Sequence, residues 1–310
     1  MTLNAMTLAR LLAVGLEPED TERVVRCALE EDLRYGPDVT SAATAAPDAQ
    51  TVAGVVARQP GVLAGLPGAL AVLDAAGIRP GAIIGSEPMC ADGDRIDAGT
   101  EVLRIRGPLR ELLGAERTLL NFLTHLSGIA TATRAWVDAL VGTGCAVRDT
   151  RKTTPGLRQL EKYAVRCGGG VNHRMGLGDA ALIKDNHVAA AGGIAAAIAA
   201  VRAAAPSLPL EVECDTLAQV REALDAGAGL VLLDNMDLAD LRSAAAVARR
   251  YPQARLEASG GLRLEAARAV AQTGVDFVAV GALTHSSPAL DLGLDLLVDD
   301  HDHRPSLRRP

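Results

Sequence analysis

Aromatic residues are nearly missing from this chain: they make up 2% of its 310 residues. Alanine, valine and leucine must therefore build most of the core. Cysteine is sparse as well. Cys27, Cys90, Cys145, Cys167 and Cys214 are widely spaced, odd in number and form no CxxC pair. That argues against a disulfide framework or zinc site and for small buried residues in a reducing cytoplasm. No run of about 18 apolar residues occurs, so no transmembrane helix is expected. The N-terminal stretch MTLNAMTLARLLAVGLEPED lacks a charged region ahead of its short apolar run and a clear cleavage site. It reads as a leading helix, not a signal peptide. Net positive charge is also missing. The formal charge is -7, whereas a nucleic-acid binder is more often basic overall. There is no Walker A motif, and GLGDAA around Gly176 and Gly178 precedes a strand-like run where a dinucleotide fingerprint would follow one.

What the chain does have is a concentrated set of cations. Between Arg148 and His187 lie Arg148, Arg151, Lys152, Arg158, Lys162, Arg166, Arg174 and Lys184, against Asp149, Glu161, Asp179 and Asp185. A basic segment inside an acidic chain, flanked by short apolar runs, suggests a pocket for an anionic small molecule in a core-built enzyme. Hydrophobic content of 49% and charged content of 22% fit an ordinary globule, and the length allows one or two domains.

Residues 1–35 read as helical, up to the break at Gly36 and Pro37. TVAGVVARQPGVLAG and EVLRIRG read as strands around a helical GALAVLDAAG, and DGDRIDAGTEVLRIRGP resembles a hairpin. This half is expected to be α+β with largely antiparallel pairing. GPLRELLGAERTLLNFLTHLSGIATATRAWVDALVG predicts one or two long helices interrupted near Gly128. The domain ranges expected are 1–127, 128–298 and a tail 299–310, in which His301 and His303 sit in a solvated terminus. After Cys145, apolar strand-like runs alternate with alanine-rich helical runs. The strands are CAVRDT, AALIKD, LEVECD, GLVLLDN, ARLEASG and DFVAVGA. The helices are expected near 157–168, 190–204, 216–226, 237–249, 262–273 and 288–298. That rhythm implies βα units and a parallel sheet or barrel.

The strand ends carry the chemistry. They deliver Arg151 and Lys152, then Lys184, Glu213, Asp234 with Asn235, Ser259 with Gly260 and Gly261, and Gly281. In a βα barrel the C-terminal rim hosts the site, and its residues come from several strands. Arg151, Lys152, His173, Arg174 and Lys184 could hold two or three anionic groups. Glu213 and Asp234 could bind a divalent cation, accept hydrogen bonds from ribose hydroxyls, or stabilise developing positive charge. Ser259-Gly260-Gly261 and Val280-Gly281-Ala282 offer backbone N–H groups suited to a phosphate. Cys167 reads as a packed helix cysteine, Arg117 as an unremarkable helix arginine, and His125 as either a helix histidine or a site residue.

The ordered markers EDLRYGPDVTS, GVLAG, ERTLLNFLTHLSGIAT, DTRKTTPGLRQLEKYAV, GGGVNHRMGLGDAALIKDNH, EVECD, LLDNM, LEASGGL and VDFVAVGALTHS span most of the chain. Together they resemble the quinolinate phosphoribosyltransferase family. The resemblance implies an N-terminal α/β sandwich domain followed by an incomplete α/β barrel of the type II phosphoribosyltransferase kind. It implies transfer of phosphoribosyl from phosphoribosyl pyrophosphate to quinolinate with decarboxylation, in NAD biosynthesis, with Mg2+. It also implies a cytoplasmic homodimer, or a higher oligomer, in which Arg117 reaches into the neighbour's site. By resemblance, Thr150, Arg151, Lys152, His173, Arg174, Lys184 and Arg117 would bind substrate, and Lys152, Lys184, Glu213 and Asp234 would act in catalysis. Glu213 and Asp234 would hold ribose hydroxyls with or without the metal. Ser259, Gly260, Gly261, Val280, Gly281 and Ala282 would cradle a phosphate. No membrane or nucleic-acid partner is expected. A related pyrophosphorylase-like paralogue, a Schiff-base lyase built on Lys184 and a non-catalytic anion binder are the competing readings.

Overall fold

The computed structural model describes residues 3–78 and 90–297; the predicted tail 299–310, with His301 and His303, lies outside them. The described residues form two compact units, one of residues 3–78 and 90–128 with 289–297 and one of residues 129–288.

The first unit begins with α1 (Ala5–Ala13) and α2 (Pro18–Leu33). Asn4 starts α1 by accepting the N–H groups of Met6 and Thr7. Pro18, Glu19 and Asp20 occupy the first turn of α2, where a missing donor and negative charge both suit a helix start. α3 (Val39–Thr44), β1 (Gln50–Ala57), β2 (Gly61–Val62), α4 (Leu66–Ala75), β3 (Arg95–Ile96) and β4 (Glu101–Pro108) follow, then α5 (Leu109–Leu140). β1 lies between β4 and a strand from the far end of the chain, antiparallel to both. Antiparallel pairing is as expected, but the expected hairpin does not form. β3 pairs with β2 while β4 pairs with β1, so the Asp97–Thr100 turn connects two different sheets. Nor does α5 break at Gly128. Leu112, Ala115, Leu119, Leu123, Leu126 and Ile129 recur every three or four residues and are fully buried. Burial of that stripe outweighs the roughly 1 kcal/mol penalty of a glycine in a helix.

The second unit carries β5 (Ala146–Arg148), α6 (Arg158–Cys167), β6 (Ala181–Ile183), α7 (Asp185–Ala191), α8 (Ile194–Ala204), β7 (Leu210–Cys214), α9 (Leu217–Asp225), β8 (Leu230–Asp234), α10 (Leu238–Ala248), β9 (Arg255–Ser259), α11 (Ala267–Ala271), β10 (Phe277–Ala279) and α12 (Ala282–His285). Its sheet has the order β5-β10-β9-β8-β7-β6, every pair parallel. Among the described residues β5 and β6 remain edges, so the barrel is open at one seam, as the fold class anticipated. Side-chain caps start the helices: Thr216 accepts from Gln219 N at α9, and Asp237 accepts from the Ala239 and Asp240 N–H groups at α10. The expected helix 190–204 is two helices, parted by Gly192 and Gly193, both at positive φ.

The last expected helix, 288–298, is a strand, β11 (Leu292–Leu297), antiparallel to β1 with Val55 opposite Leu294. Leu292, Leu294 and Leu296 alternate, and the unsatisfied edge of β1 supplies partners for their backbone. The chain therefore returns to the first unit before position 298.

Candidate active site

The C-terminal ends of the six parallel strands surround a cavity of about 430 Å³, a size suited to a small ligand. Thr150, Arg151, Lys152, His173, Arg174, Lys184, Glu213, Asp234 and Ser259 all line it, so nine expected residues come to one place. Leu182, Leu232 and Ala279 supply apolar wall, and Glu257 completes the lining.

Below the rim, a buried ion pair sets the position of the loop after α6. Lys162 and Asp149 are both fully buried and in direct contact. Asp149 also accepts the N–H of His173 at 2.9 Å, and the Lys162 ammonium donates to the His173 carbonyl at 2.8 Å. Both backbone groups of His173 are thus fixed by one pair. Burial pulls the Lys162 ammonium down from its ordinary value, with Asp149 opposing it. The preceding glycine run serves packing. A Cβ at Gly168 would lie 2.5 Å from the Ala130 carbonyl of α5, and one at Gly170 would lie 2.8 Å from Thr133 Cγ2.

Arg174 donates to the Ala180 carbonyl at 3.0 Å. Its guanidinium is held below the ordinary arginine value by burial first and by the neighbouring Arg151 second. Two guanidiniums near enough to disfavour each other form a site that an anionic ligand would relieve. Lys184 contacts Glu213, with side chains 45% and 15% exposed.

On β8, Asp234 accepts a 2.7 Å hydrogen bond from Asn235 Nδ2. Asn235 has φ of 52° and is the one non-glycine residue at positive φ among those described. Gly260, at φ +99°, packs against it: an added Cβ would overlap Asn235 Oδ1 and lie 2.8 Å from its backbone nitrogen. The loop after β10 approaches the rim from the other side. A Cβ at Gly281 would lie 2.9 Å from Lys152 Cδ, and Thr284 Oγ1 donates to the Lys152 carbonyl at 2.8 Å. Gly260, Gly261, Val280, Gly281 and Ala282 do not line the cavity themselves. Arg117 is exposed on α5, in the first unit.

Three residues that the sequence reading gave no role at the site sit one layer deeper: Arg148, counted there only among the cations, Glu211 and Glu257. Arg148 Nη1 lies 2.6 Å from Glu257 Oε2, His173 Nε2 lies 2.7 Å from Glu211 Oε2, and the same nitrogen is 3.7 Å from Glu257 Oε1. Burial, then the charge of Glu211, pushes the Glu257 carboxyl up to about 7. Side chains two apart on a strand share a face. Arg148 beneath Thr150, Glu211 beneath Glu213 and Glu257 beneath Ser259 could have been found by stepping back two residues from each rim position.

Comparison with known proteins identifies the relatives. Residues 38–127 match the family model described as quinolinate phosphoribosyl transferase, N-terminal domain, and residues 129–295 match that of the C-terminal domain. The chain belongs to the quinolinate phosphoribosyl transferase family. It is 53% identical over 276 residues to the nicotinate-nucleotide pyrophosphorylase [carboxylating] of Mycobacterium leprae, covering 88% of this chain and 95% of that one. The solved nicotinate-nucleotide pyrophosphorylase of Francisella tularensis superposes with a TM-score of 0.83 at 37% identity, covering 91% of this chain and 98% of that one. The Ehrlichia chaffeensis structure of the same name gives 0.82 at 35% identity, over 89% and 98%. Family membership agrees with the two-unit division and with the open parallel barrel.

Proposed function

We propose that this cavity transfers the phosphoribosyl group of phosphoribosyl pyrophosphate to the ring nitrogen of quinolinate. The products are nicotinate mononucleotide, pyrophosphate and CO2, which makes the protein a pentosyltransferase of NAD biosynthesis. The observation that carries this reading is the gathering of Arg151, Lys152, Arg174 and Lys184 with Glu213 and Asp234 around one small cavity. A pyridine dicarboxylate and a phosphorylated sugar need that pairing of cations with a few carboxylates.

The C1′–oxygen bond to pyrophosphate breaks with its electron pair leaving on pyrophosphate, and the ring nitrogen lone pair forms the new bond. Positive charge at the ribosyl centre is favoured by Glu213 and Asp234, whose oxygens also suit ribose hydroxyls. The cationic ring nitrogen then stabilises the electron pair that the breaking C–C bond leaves on the adjacent carbon as CO2 departs. That carbon takes up a proton, for which the Lys152 and Lys184 ammonium groups line the same cavity. Arg151 and Arg174 grip carboxylate, with His173 beside them. At the rim beside Ser259, the backbone N–H groups of Gly260, Gly261, Gly281 and Ala282 would cradle the 5′-phosphate, whereas the Val280 N–H is already spent on the Arg148 carbonyl at 2.9 Å.

Glu213 and Asp234 are oxygen donors at the ends of adjacent strands, and Asn235 and Lys184 leave part of each carboxylate available. The pair fits Mg2+, which takes one or two carboxylates together with substrate phosphates. Bound there, Mg2+ would neutralise charge on the pyrophosphate. The reading extends to a cytoplasmic homodimer in which Arg117 is offered to a neighbouring copy. Five cysteines, all free, support a reducing compartment.

The test is to mix the protein with quinolinate, phosphoribosyl pyrophosphate and Mg2+ and to follow nicotinate mononucleotide and CO2 together. Nicotinate replaces quinolinate in a second run. Both products from quinolinate and none from nicotinate are expected. Product from neither, with phosphoribosyl pyrophosphate still bound, would favour the paralogue reading.

A further inference from the structure

His173 lines the cavity, yet both of its ring nitrogens are already engaged inside the protein. Nδ1 accepts the backbone N–H of Arg174 at 2.7 Å, so it must present a lone pair. Nε2 then carries the proton and meets Glu211 Oε2 at 2.7 Å. The ring cannot hold a substrate carboxylate through either nitrogen without giving up one of these bonds. It also cannot serve as a metal ligand, although His173, Glu211 and Glu257 bring their ligand atoms within 4.8 Å of one another. A cation would need the Nε2 lone pair, which the proton occupies.

The carboxyls that receive this ring are among the most enclosed groups in the second unit. Glu211 is 3% exposed and Glu257 0%. Glu257 is held by Arg148, whose guanidinium stacks 4.8 Å from the Phe277 ring centroid. Among the described residues the second oxygen of each carboxyl, Oε1, has no hydrogen-bond partner. Burying such groups is costly, and three strands contribute to the cluster, which is more than packing alone requires.

We propose that Glu211 and Glu257 are positioning residues for the site. Their carboxyls fix His173 as the imidazole protonated on Nε2 alone, and its Nδ1 in turn fixes the backbone of Arg174, so that the Arg174 guanidinium faces the cavity ready for a carboxylate. The chain of contacts runs Arg148–Glu257–His173–Arg174, with Glu211 closing it on the proton side. The proposal rests on the transferase reading for the nature of the anion. It does not rest on it for the state of the ring.

The first measurement is therefore made without substrate. Full-length protein labelled with 15N-histidine is examined by long-range 1H–15N correlation NMR at pH 7.5, with His173 assigned by its loss in His173→Gln. The expected spectrum has a protonated Nε2 and a bare Nδ1. A ring protonated on Nδ1, alone or with Nε2, would overturn the proposal whatever the protein catalyses. The second measurement uses Glu211→Gln, Glu211→Leu and Glu257→Gln in steady-state assays. Gln at 211 still accepts the Nε2 proton, so Glu211→Gln should keep the tautomer and stay within roughly threefold of the parent in KM for quinolinate. Glu211→Leu should disturb the tautomer and raise that KM by about tenfold, with kcat and the KM for phosphoribosyl pyrophosphate moving far less, a difference of about 1.4 kcal/mol in one ligand's binding. Glu257→Gln should fall between them. Equal KM values for Gln and Leu at 211, or a fall in kcat alone, would reduce the cluster to a folding element. Absence of any quinolinate turnover in the parent would defeat the transferase reading while leaving the spectrum as the test of the tautomer.

Discussion

Two lysine–carboxylate pairs in the second unit have the same chemistry and opposite surroundings. Lys184 meets Glu213 at the mouth of the cavity, with side chains 45% and 15% exposed, whereas Lys162 meets Asp149 with both at 0%. Water and ligand can replace either partner at the mouth, so that pair can open when an anion arrives for the ammonium and a hydroxyl for the carboxylate. The buried pair has no such exchange. Its remaining hydrogen-bonding capacity is spent on the backbone of His173 and on the Asn172 side-chain amide. The lesson is that burial, not composition, separates the machinery that meets substrate from the frame that holds it.

Breaking the buried pair should have the largest effect. Lys162→Met leaves the Asp149 carboxylate enclosed with no countercharge, and removing one partner of a buried pair typically costs about 3–5 kcal/mol. Urea unfolding should register that loss, and a change below about 1 kcal/mol would end the distinction. Lys184→Met is the reciprocal test. Stability should change by less than about 1 kcal/mol, as for exposed pairs, while kcat/KM for quinolinate should fall about 100-fold, near 2.7 kcal/mol of transition-state stabilisation. Equal losses of stability in the two variants would show that the mouth pair is also structural.

The deeper carboxyl sharpens the contrast through pH. Glu257 is pushed up to about 7 from an ordinary 4.5 by burial and by Glu211. Between those values the native state keeps a proton that the unfolded chain has released. Stability must therefore fall as pH rises through that window and level off above about 7, with a slope of at most about 1.4 kcal/mol per pH unit for one proton. Glu257→Gln should flatten this limb of the stability curve. An unchanged slope would mean that the proton resides elsewhere in the cluster.

How much of this was legible depended on where a residue stands along its strand. The rim could be read because each apolar run stops at a charged or glycine residue, as AALIKD does at Lys184 and LEVECD at Glu213. The frame was harder. Glu211, Glu257 and Arg148 interrupt apolar runs, and a reading that looks only at where a run ends passes over them, though the two-residue repeat would have reached them. Lysine usage was another signal left unread: the chain has only three lysines, Lys152, Lys162 and Lys184, all within the basic segment. Long-range pairing was not legible at all. DLGLDLL fits a helix by its leucine spacing and a strand by its alternation, and only the open edge of β1 decides for the strand. The turn at Asp97–Thr100 looked like a hairpin because nothing local says that β3 and β4 join different sheets.

The smallest effect is expected one residue from a catalytic candidate. Cys214 follows Glu213 on β7, so its side chain points to the opposite face, where it is fully buried. Burial, with Asp215, Glu222 and Glu213 adding to it, pushes its thiol up to about 12. It should therefore resist a thiol reagent at pH 8 in the folded protein, while the exposed Cys27 reacts at once. Cys214→Val keeps an apolar group of similar size there, and such swaps usually cost less than about 1.5 kcal/mol. Turnover of quinolinate should stay within about twofold of the parent, because the change lies on the face away from the cavity. A large loss of kcat/KM with stability intact would mean that the two faces of β7 are coupled, and that the frame is less rigid than the buried pair implies.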